Sequence, residues 1–104
     1  MAKKVFIFEI DLFSRLRYEI YTDKGKVVYF VVKLEALIGN NWEAIVRYDT
    51  THGFFHRDIM KPDGEKEKKE FDITDFNTAL QFADNDLRDR SEWYIDQYMK
   101  KIKK

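Results

Sequence analysis

The chain contains no cysteine, which excludes disulfide bonds, thiolate catalysis and cysteine-ligated zinc. It has one proline and four glycines in 104 residues, so no flexible linker divides it, and a single domain over residues 1–104 is expected. Basic and acidic side chains are equal in number, at 19 each, so no net charge attracts polyanions in general. A nucleic-acid partner would therefore need a local basic patch.

Long hydrophobic runs are also missing. No apolar stretch approaches the roughly 20 residues that cross a bilayer. Glu9 and Asp11 interrupt the first apolar segment, where a signal peptide would be uninterrupted. The sequence therefore predicts a cytoplasmic protein that has no membrane contact. Hydrophobic residues still make up 44% of the chain, which is enough for one core.

Alternating hydrophobic and polar residues predict β-strands over residues 1–71. Short turn sequences such as "DKGK" at 23–26 and "GNN" at 39–41 separate the strands. In the strand that follows "GNN", one face is expected to carry Trp42, Ala44, Val46 and Tyr48. Consecutive strands joined by short turns favour an antiparallel meander of five or six strands.

From residue 72 onward, hydrophobic residues recur every three or four positions, which predicts a C-terminal helix over 72–104. Asp72 and Asp75 resemble an N-terminal capping box. "DND" at 84–86 is poor helix-forming sequence, so the helix is either continuous or broken near Asp84. The predicted fold class is α+β, an antiparallel sheet covered by a long C-terminal helix.

The length of this helix predicts a homodimer. A continuous helix would be about 40 Å long, whereas five strands span only roughly 24 Å. The end beyond Ser91 is therefore expected to overhang the sheet, and Trp93 and Ile95 widen its apolar surface. Symmetric pairing of two copies is the commonest way to cover such a surface. The alternatives are a break near Asp84 that folds the second half back onto the sheet, or a different protein that covers the surface.

Both histidines of the chain lie in the stretch "VRYDTTHGFFHRDIMKPDG" at residues 46–64. If residues 50–53 form the loop of a hairpin, Arg47 lies opposite His56 in the ladder. The other face of this hairpin is expected to carry Val46, Tyr48, Phe55 and Ile59.

Two aspartates are expected on the same face as Arg47 and His56 because of their positions in the strands. Asp49 and Asp58 have the same parity as Arg47 and His56, so the four side chains are expected on one face, with His52 in the loop above. The predicted cluster therefore combines two imidazoles, two carboxylates and a guanidinium.

Three interpretations of this cluster remain open. The first is an outer sheet face in water, where an Arg47–Asp58 pair contributes little to stability. The second is a phosphodiester site that needs neither metal nor cofactor. One histidine accepts the proton of a ribose 2′-hydroxyl and the other protonates the leaving oxygen, while Arg47 or Arg57 stabilises the developing charge and Asp49 or Asp58 orients a ring. The third is a metal site built from His52, His56 and an aspartate.

The segments "RYDTTHGFFHRD", "KPDGEKEK" and "FNTALQFADNDL" together resemble a group of small prokaryotic proteins with a YDTxHGxxHRD core. More distantly, they are similar to the TumE type of toxins, which are encoded beside helix-turn-helix antitoxins. The resemblance covers about residues 44–90 and is carried at the site by Tyr48, Asp49, Gly53, His56 and Arg57. It implies a toxin with a translation-directed or RNA-directed activity, whose partner is a helix-turn-helix antitoxin.

Two functions follow as hypotheses. The leading one is a toxin-like RNA-targeting protein, a metal-independent ribonuclease whose candidate catalytic residues are His56, His52, Arg47, Arg57, Asp49 and Asp58. The alternative is a non-enzymatic protein-interaction module, in which the same hairpin and the acidic segment "DNDLRDRSE" at 84–92 contact a partner. The residues do not decide between an enzyme and an interaction module.

Overall fold

The computed structural model of the protein describes residues 1–102, which form one six-stranded antiparallel sheet and one long α-helix. The strands follow the chain across the sheet, from β1 at one edge to β6 at the other. The elements are β1 (Ala2–Asp11), β2 (Ser14–Asp23), β3 (Lys26–Ile38), β4 (Asn41–Asp49), β5 (His56–Met60), β6 (Lys66–Glu70) and α1 (Phe76–Ile102). The predicted α+β meander with a C-terminal helix is confirmed. Within residues 1–102, no helix is long and apolar enough to cross a membrane.

The hydrophobic core lies between one face of the sheet and α1. The sheet contributes alternate residues of β2, β3 and β4, including Leu16, Val32 and Tyr48, each of which is almost fully buried. The residues that α1 contributes are spaced at helical intervals: Ala79, Ala83, Leu87 and Tyr94. The predicted hydrophobic stripe of the helix therefore faces the sheet.

A β-bulge in β4 changes which side chains of this strand lie on each face of the sheet. The register between β3 and β4 shifts between Leu34 and Glu35, and Ile45 and Val46 are both fully buried. Trp42 therefore lies on the face away from α1, where the Arg15 guanidinium is 4.0 Å from the centre of its ring. The prediction that Trp42 and Ala44 share a face with Val46 and Tyr48 was wrong, because one extra residue reverses the parity of the strand.

The helix begins at Phe76, four residues later than predicted, and Asp75 is its N-cap. Asp75 Oδ2 accepts hydrogen bonds from the Thr78 backbone N–H at 3.3 Å and from the Thr78 hydroxyl at 2.6 Å. The helix continues past Asp84, and its backbone departs from helical angles only at Arg90 (φ −117°, ψ 15°). Lys103 and Lys104, which the predicted helix included, lie outside the described residues.

The aspartates of "DND" face the sheet. Tyr18 donates a hydrogen bond to Asp84, and the Tyr48 hydroxyl donates to Asp86 at 2.7 Å. Tyr94 also donates to Asp86, at 2.6 Å. Asp84 and Asp86 are therefore used inside the chain, which removes them from the acidic surface proposed for partner contact.

The C-terminal half of α1 is better covered than the sequence suggested. Tyr94 is 2% exposed, and Ile95 and Tyr98 pack against the core, which leaves Trp93 and Ile102 exposed.

The direction of the helix is the reason for this coverage. Asn77, near its start, accepts a hydrogen bond from the Val27 N–H. Ile95 lines a pocket with Ser14, which pairs with Ala36 near the end of β3. The helix therefore runs along β3, and a 13-residue strand is about 43 Å long. The predicted overhang assumed that the helix crosses the width of the sheet, and this assumption was wrong. The homodimer itself stays a prediction.

Candidate functional site

The hairpin of β4 and β5 brings four of the candidate residues to one face. Asp49 lies opposite His56, and Arg47 lies opposite Asp58. The predicted pairing of Arg47 with His56 was wrong by two positions, because the connection extends to residue 55 instead of 53. A shift of two residues keeps every side chain on its face, so the predicted grouping is confirmed although the register is not.

A tight turn holds the beginning of the connection. Residues Thr51–Gly53 form a single 3₁₀ turn, in which His52 and Gly53 have left-handed backbone angles (φ 69° and 85°). Asp49 Oδ1 accepts a hydrogen bond from the Thr51 backbone N–H at 3.0 Å. Thr50 is tied to β3, since its hydroxyl accepts a hydrogen bond from the Phe30 N–H at 3.0 Å. The turn therefore fixes the backbone position of His52.

His56 lies between two buried carboxylates. Its side chain is 4% exposed, and its Nε2 atom is 3.0 Å from Asp49 Oδ1 and 3.7 Å from Asp58 Oδ2. The Phe54 ring lies beside the imidazole, with 5.5 Å between ring centres. His56 Nδ1 and Asp58 Oδ1 are buried without a hydrogen-bond partner among residues 1–102. Such atoms are uncommon and mark a place where a ligand or ion can supply the partner.

Two cations compensate for the carboxylates. Arg47 Nε donates to Asp49 Oδ2 at 2.5 Å, and Lys66 Nζ is 3.9 Å from Asp58 Oδ2. Burial by itself would raise the pKa of Asp49. The hydrogen bonds from Arg47 and the Thr51 N–H, together with the nearby His56, outweigh burial and hold the pKa of Asp49 below its usual value. Asp49 is therefore a carboxylate at neutral pH.

An open cleft of about 260 Å³ lies over these residues. Its walls combine three cationic side chains and both histidines with the two aspartates. The lining residues are Arg47, Asp49, Thr51, His52, His56, Asp58, Met60, Lys66 and Lys68. His52 is exposed at the rim. Five of the six candidate residues therefore meet in one cleft.

Arg57 is the candidate residue that does not reach the cleft. It pairs with Tyr48 in the ladder, and its Nη1 donates to the Tyr94 hydroxyl at 3.3 Å on the side of α1. Arg57 therefore lies on the opposite face from the other five candidates, because it neighbours His56 and Asp58 in the strand and neighbouring residues point to opposite faces.

Lys66 and Lys68 line the cleft but were not among the candidates. They enter through the pairing of β6 with β5, which sets Lys68 opposite Asp58 and Lys66 opposite Met60. Alternation within "KEKKE" does place both lysines on one face. In a uniformly charged strand, however, the sequence does not show whether these lysines lie on the face of the sheet that carries the cleft.

The buried part of the cluster also has the composition of a metal site. Asp49, His56 and Asp58 each offer one ligand atom, and these atoms all lie within 4.8 Å of one another. Oxygen and imidazole ligands suit a divalent cation. The metal interpretation drawn from the sequence used His52 as a ligand, whereas the grouping in the structure contains a second aspartate instead.

The entire chain, residues 1–104, matches the family model described as a domain of unknown function, DUF7718. The protein belongs to this family. No curated protein and no solved structure matches it. Since the family description carries no activity, the function has to be argued from the cleft itself.

Proposed function

We propose that this member of the DUF7718 family is a toxin-like, RNA-targeting protein that cleaves RNA by metal-independent histidine chemistry. The observation that supports the proposal is the meeting of both histidines with Arg47, Lys66 and Lys68 in one open cleft. Cations arranged around two imidazoles suit a phosphodiester substrate. The proposed site of action is the cytoplasm, where such a protein would meet its RNA substrate.

The cations supply the binding of the phosphate. Arg47 uses Nε to hold Asp49, and no other hydrogen bond of its guanidinium is found within residues 1–102. The remaining N–H groups form a planar fork that matches phosphate oxygens. Lys66 and Lys68 add point charges from the neighbouring strand. This arrangement would stabilise the charge that grows on the phosphate in the transition state.

Asp49 determines how His56 acts. A carboxylate 3.0 Å from Nε2 favours the tautomer that carries its proton on that nitrogen. The lone pair then lies on Nδ1, which is buried and has no partner within residues 1–102. In the proposal the substrate hydroxyl reaches Nδ1 by displacing the exposed Phe54 ring that lies beside the imidazole. His56 is therefore assigned as the base, and Asp49 as the residue that positions it. His52, exposed at the rim, is assigned as the acid because it can regain a proton from water.

The proposed reaction is an internal transfer within the RNA. The ribose 2′-hydroxyl attacks the adjacent phosphorus while His56 Nδ1 accepts the hydroxyl proton. The bond from phosphorus to the 5′-oxygen breaks, and protonated His52 gives its proton to that oxygen. The products are a 2′,3′-cyclic phosphate and a 5′-hydroxyl, so that no external oxidant, reductant or metal takes part.

Cleavage of a mixed set of RNA oligonucleotides in EDTA tests this function. We expect cyclic-phosphate products, and no cleavage of DNA of the same sequence, since DNA lacks the attacking hydroxyl. His56→Ala and His52→Ala should each lower the rate by about 10² to 10⁴. Lys69→Ala is the control, since Lys69 lies on the other face of β6.

Two results would overturn the proposal. One is the absence of cleavage by a folded protein on every RNA tested. The other is cleavage that EDTA abolishes and zinc or manganese restores. That result would instead assign Asp49, His56 and Asp58 as metal ligands.

A second candidate function is the non-enzymatic interaction module. The turn between β1 and β2 favours it, because Leu12 is 82% exposed and Phe13 is 65% exposed. Adjacent apolar side chains at a turn are typical of a contact surface for another protein. The helix-turn-helix antitoxin implied by the resemblance is the proposed partner. This function requires no RNA cleavage, so the same assay separates the two candidates.

A further inference from the structure

The two edges of the sheet have opposite character. The five residues of β6, at one edge, are all charged and all exposed, which discourages pairing with another strand. At the other edge, β1 has ten residues, and three of its apolar side chains, Val5, Ile7 and Phe8, are 40–47% exposed. A long, apolar edge strand is a template for a further strand. The β1 edge is therefore suited to pairing with a further β-strand, whereas the β6 edge is not.

Both faces of β1 carry apolar side chains. On the face towards α1, the Phe6 ring stacks on Tyr18 with 4.4 Å between ring centres, and the Arg88 guanidinium lies 4.0 Å from the centre of the Phe8 ring. On the other face, Val5 and Ile7 lie opposite Glu19 and Arg17 of β2. The main contacts of α1 are with β3 and β4, and its side chains, such as Arg88, reach over to the inner face of β1.

The charges of β1 are segregated along the strand. Lys3 and Lys4 lie at its beginning, and Glu9 and Asp11 lie at its end. Antiparallel pairing of β1 with an identical strand would bring each basic end beside an acidic end. We propose that β1 pairs in this way with β1 of a second copy of the chain, forming a symmetric dimer with one continuous sheet.

The charges also select the register of this pairing. A two-fold axis at Phe6 sets Lys3 opposite Glu9 and Val5 opposite Ile7, whereas an axis at Ile7 sets Lys3 opposite Asp11. Asp11 already accepts hydrogen bonds from the Phe13 N–H at 2.8 Å and the Ser14 hydroxyl at 2.9 Å. Glu9 makes no ion pair within residues 1–102, whereas Lys3 Nζ lies 3.7 Å from Glu19 of its own chain. The axis at Phe6 gives the unpaired Glu9 carboxylate a partner and gives Lys3 a second one, and we assign that register.

This interface differs from the one predicted at the end of α1 and does not depend on the proposed function. The cleft is built on β4, β5 and β6, at the far side of the sheet from β1. Pairing at β1 leaves both clefts of the dimer open.

Charge exchange at the edge tests the dimer. Analytical ultracentrifugation of the wild-type protein at tens of micromolar should give the mass of two chains. Lys3→Glu places a glutamate opposite Glu9 of the other chain at each of the two symmetric positions. The repulsion should raise the dimer dissociation constant by about tenfold or more. The double variant Lys3→Glu/Glu9→Lys restores opposite charges and should recover most of the wild-type affinity. Lys69→Glu, on β6, is the matched control and should leave the dissociation constant unchanged.

Circular dichroism of each variant shows that the fold survives. The proposal is overturned by the mass of one chain for the wild-type protein at these concentrations. It is also overturned by a dimer in which the double variant is as weak as Lys3→Glu, or in which Lys3→Glu has no effect, since the contact would then lie elsewhere.

Discussion

Asp49 connects the parts of the cleft to one another. It accepts hydrogen bonds from Arg47 and from the Thr51 N–H, and it lies 3.0 Å from His56. It is only 2% exposed, and a buried carboxylate is tolerated when it is paired in this way. The same residue thus fixes the turn, the guanidinium and the imidazole.

The titration of Asp49 gives a pH-dependent test. Because its pKa in the folded protein lies below the unfolded value of about 3.9, its charge stabilises the fold above that pH, and the stabilisation is lost as pH falls through the folded pKa. Asp49→Asn should lower the free energy of unfolding by about 1 to 3 kcal/mol at pH 7. The difference from wild type should shrink below pH ~4.

Urea unfolding at pH 7 and at pH 3 measures both values for Asp49→Asn. Asp89→Asn, at an exposed position of α1, is the control and should change neither. An Asp49→Asn variant whose deficit is the same at both pH values would show that the charge of Asp49 does not stabilise the fold.

Most of the site could be predicted from strand parity alone. Parity placed Arg47, Asp49, His56 and Asp58 on one face, and it survived a register error because the error was an even number of residues. The same parity excludes Arg57. The two lysines of β6 could not be assigned to the site from the sequence. This strand has no hydrophobic residue, so no buried face shows which of its side chains point towards the cleft.

At the scale of elements, buried tyrosines hold α1 on the sheet. Tyr48 and Tyr94 are almost fully buried, and both donate hydrogen bonds to Asp86. Burial, followed by these hydrogen bonds, raises the pKa of both hydroxyls, so each remains a donor at any physiological pH. Tyr18 is bound to Asp84 in the same way, and its pKa is raised to about 12, first by burial and then by that bond. The polar contacts therefore fix how α1 sits on its hydrophobic face.

Removing Asp86 should be costly for this reason. Asp86→Ala leaves the Tyr48 and Tyr94 hydroxyls without their acceptor, and each unsatisfied buried group costs about 1 to 3 kcal/mol. We expect the free energy of unfolding to fall by about 2 to 4 kcal/mol. Asp89→Ala, three positions further along α1 and exposed, should change it by no more than about 0.5 kcal/mol. Equal effects of the two substitutions in chemical denaturation would contradict the role of the tyrosine contacts.

Hydrophobic periodicity was sufficient to predict the strands and the helix. It failed where one inserted residue changes which face a side chain lies on, and where a contact distant in sequence stabilises a helix. The bulge at Ile45 has no glycine or turn sequence to announce it, and its effect on Trp42 was missed. "DND" appeared to weaken the helix because local propensity does not record that Asp84 and Asp86 meet tyrosines from β2 and β4. These contacts join residues 38 or more positions apart in the chain.

The whole molecule has no net charge, so the proposed RNA affinity would have to come from a local concentration of cations. In the proposal, Arg47, Lys66 and Lys68 supply it on the face of the sheet away from α1. In the proposed dimer the two clefts lie at opposite ends of the joined sheet, and each would bind RNA independently.

The most direct test of the proposed RNA-binding cleft compares two adjacent lysines. Lys68 lines the cleft, whereas Lys69 is its neighbour on the opposite face of β6. RNA with 2′-O-methyl groups has no attacking hydroxyl, so its binding can be titrated without cleavage. We expect Lys68→Glu to raise the dissociation constant by about tenfold or more and Lys69→Glu to change it by less than about twofold. Equal weakening by both substitutions, or no binding by the wild-type protein, would contradict the assignment of this cleft to RNA.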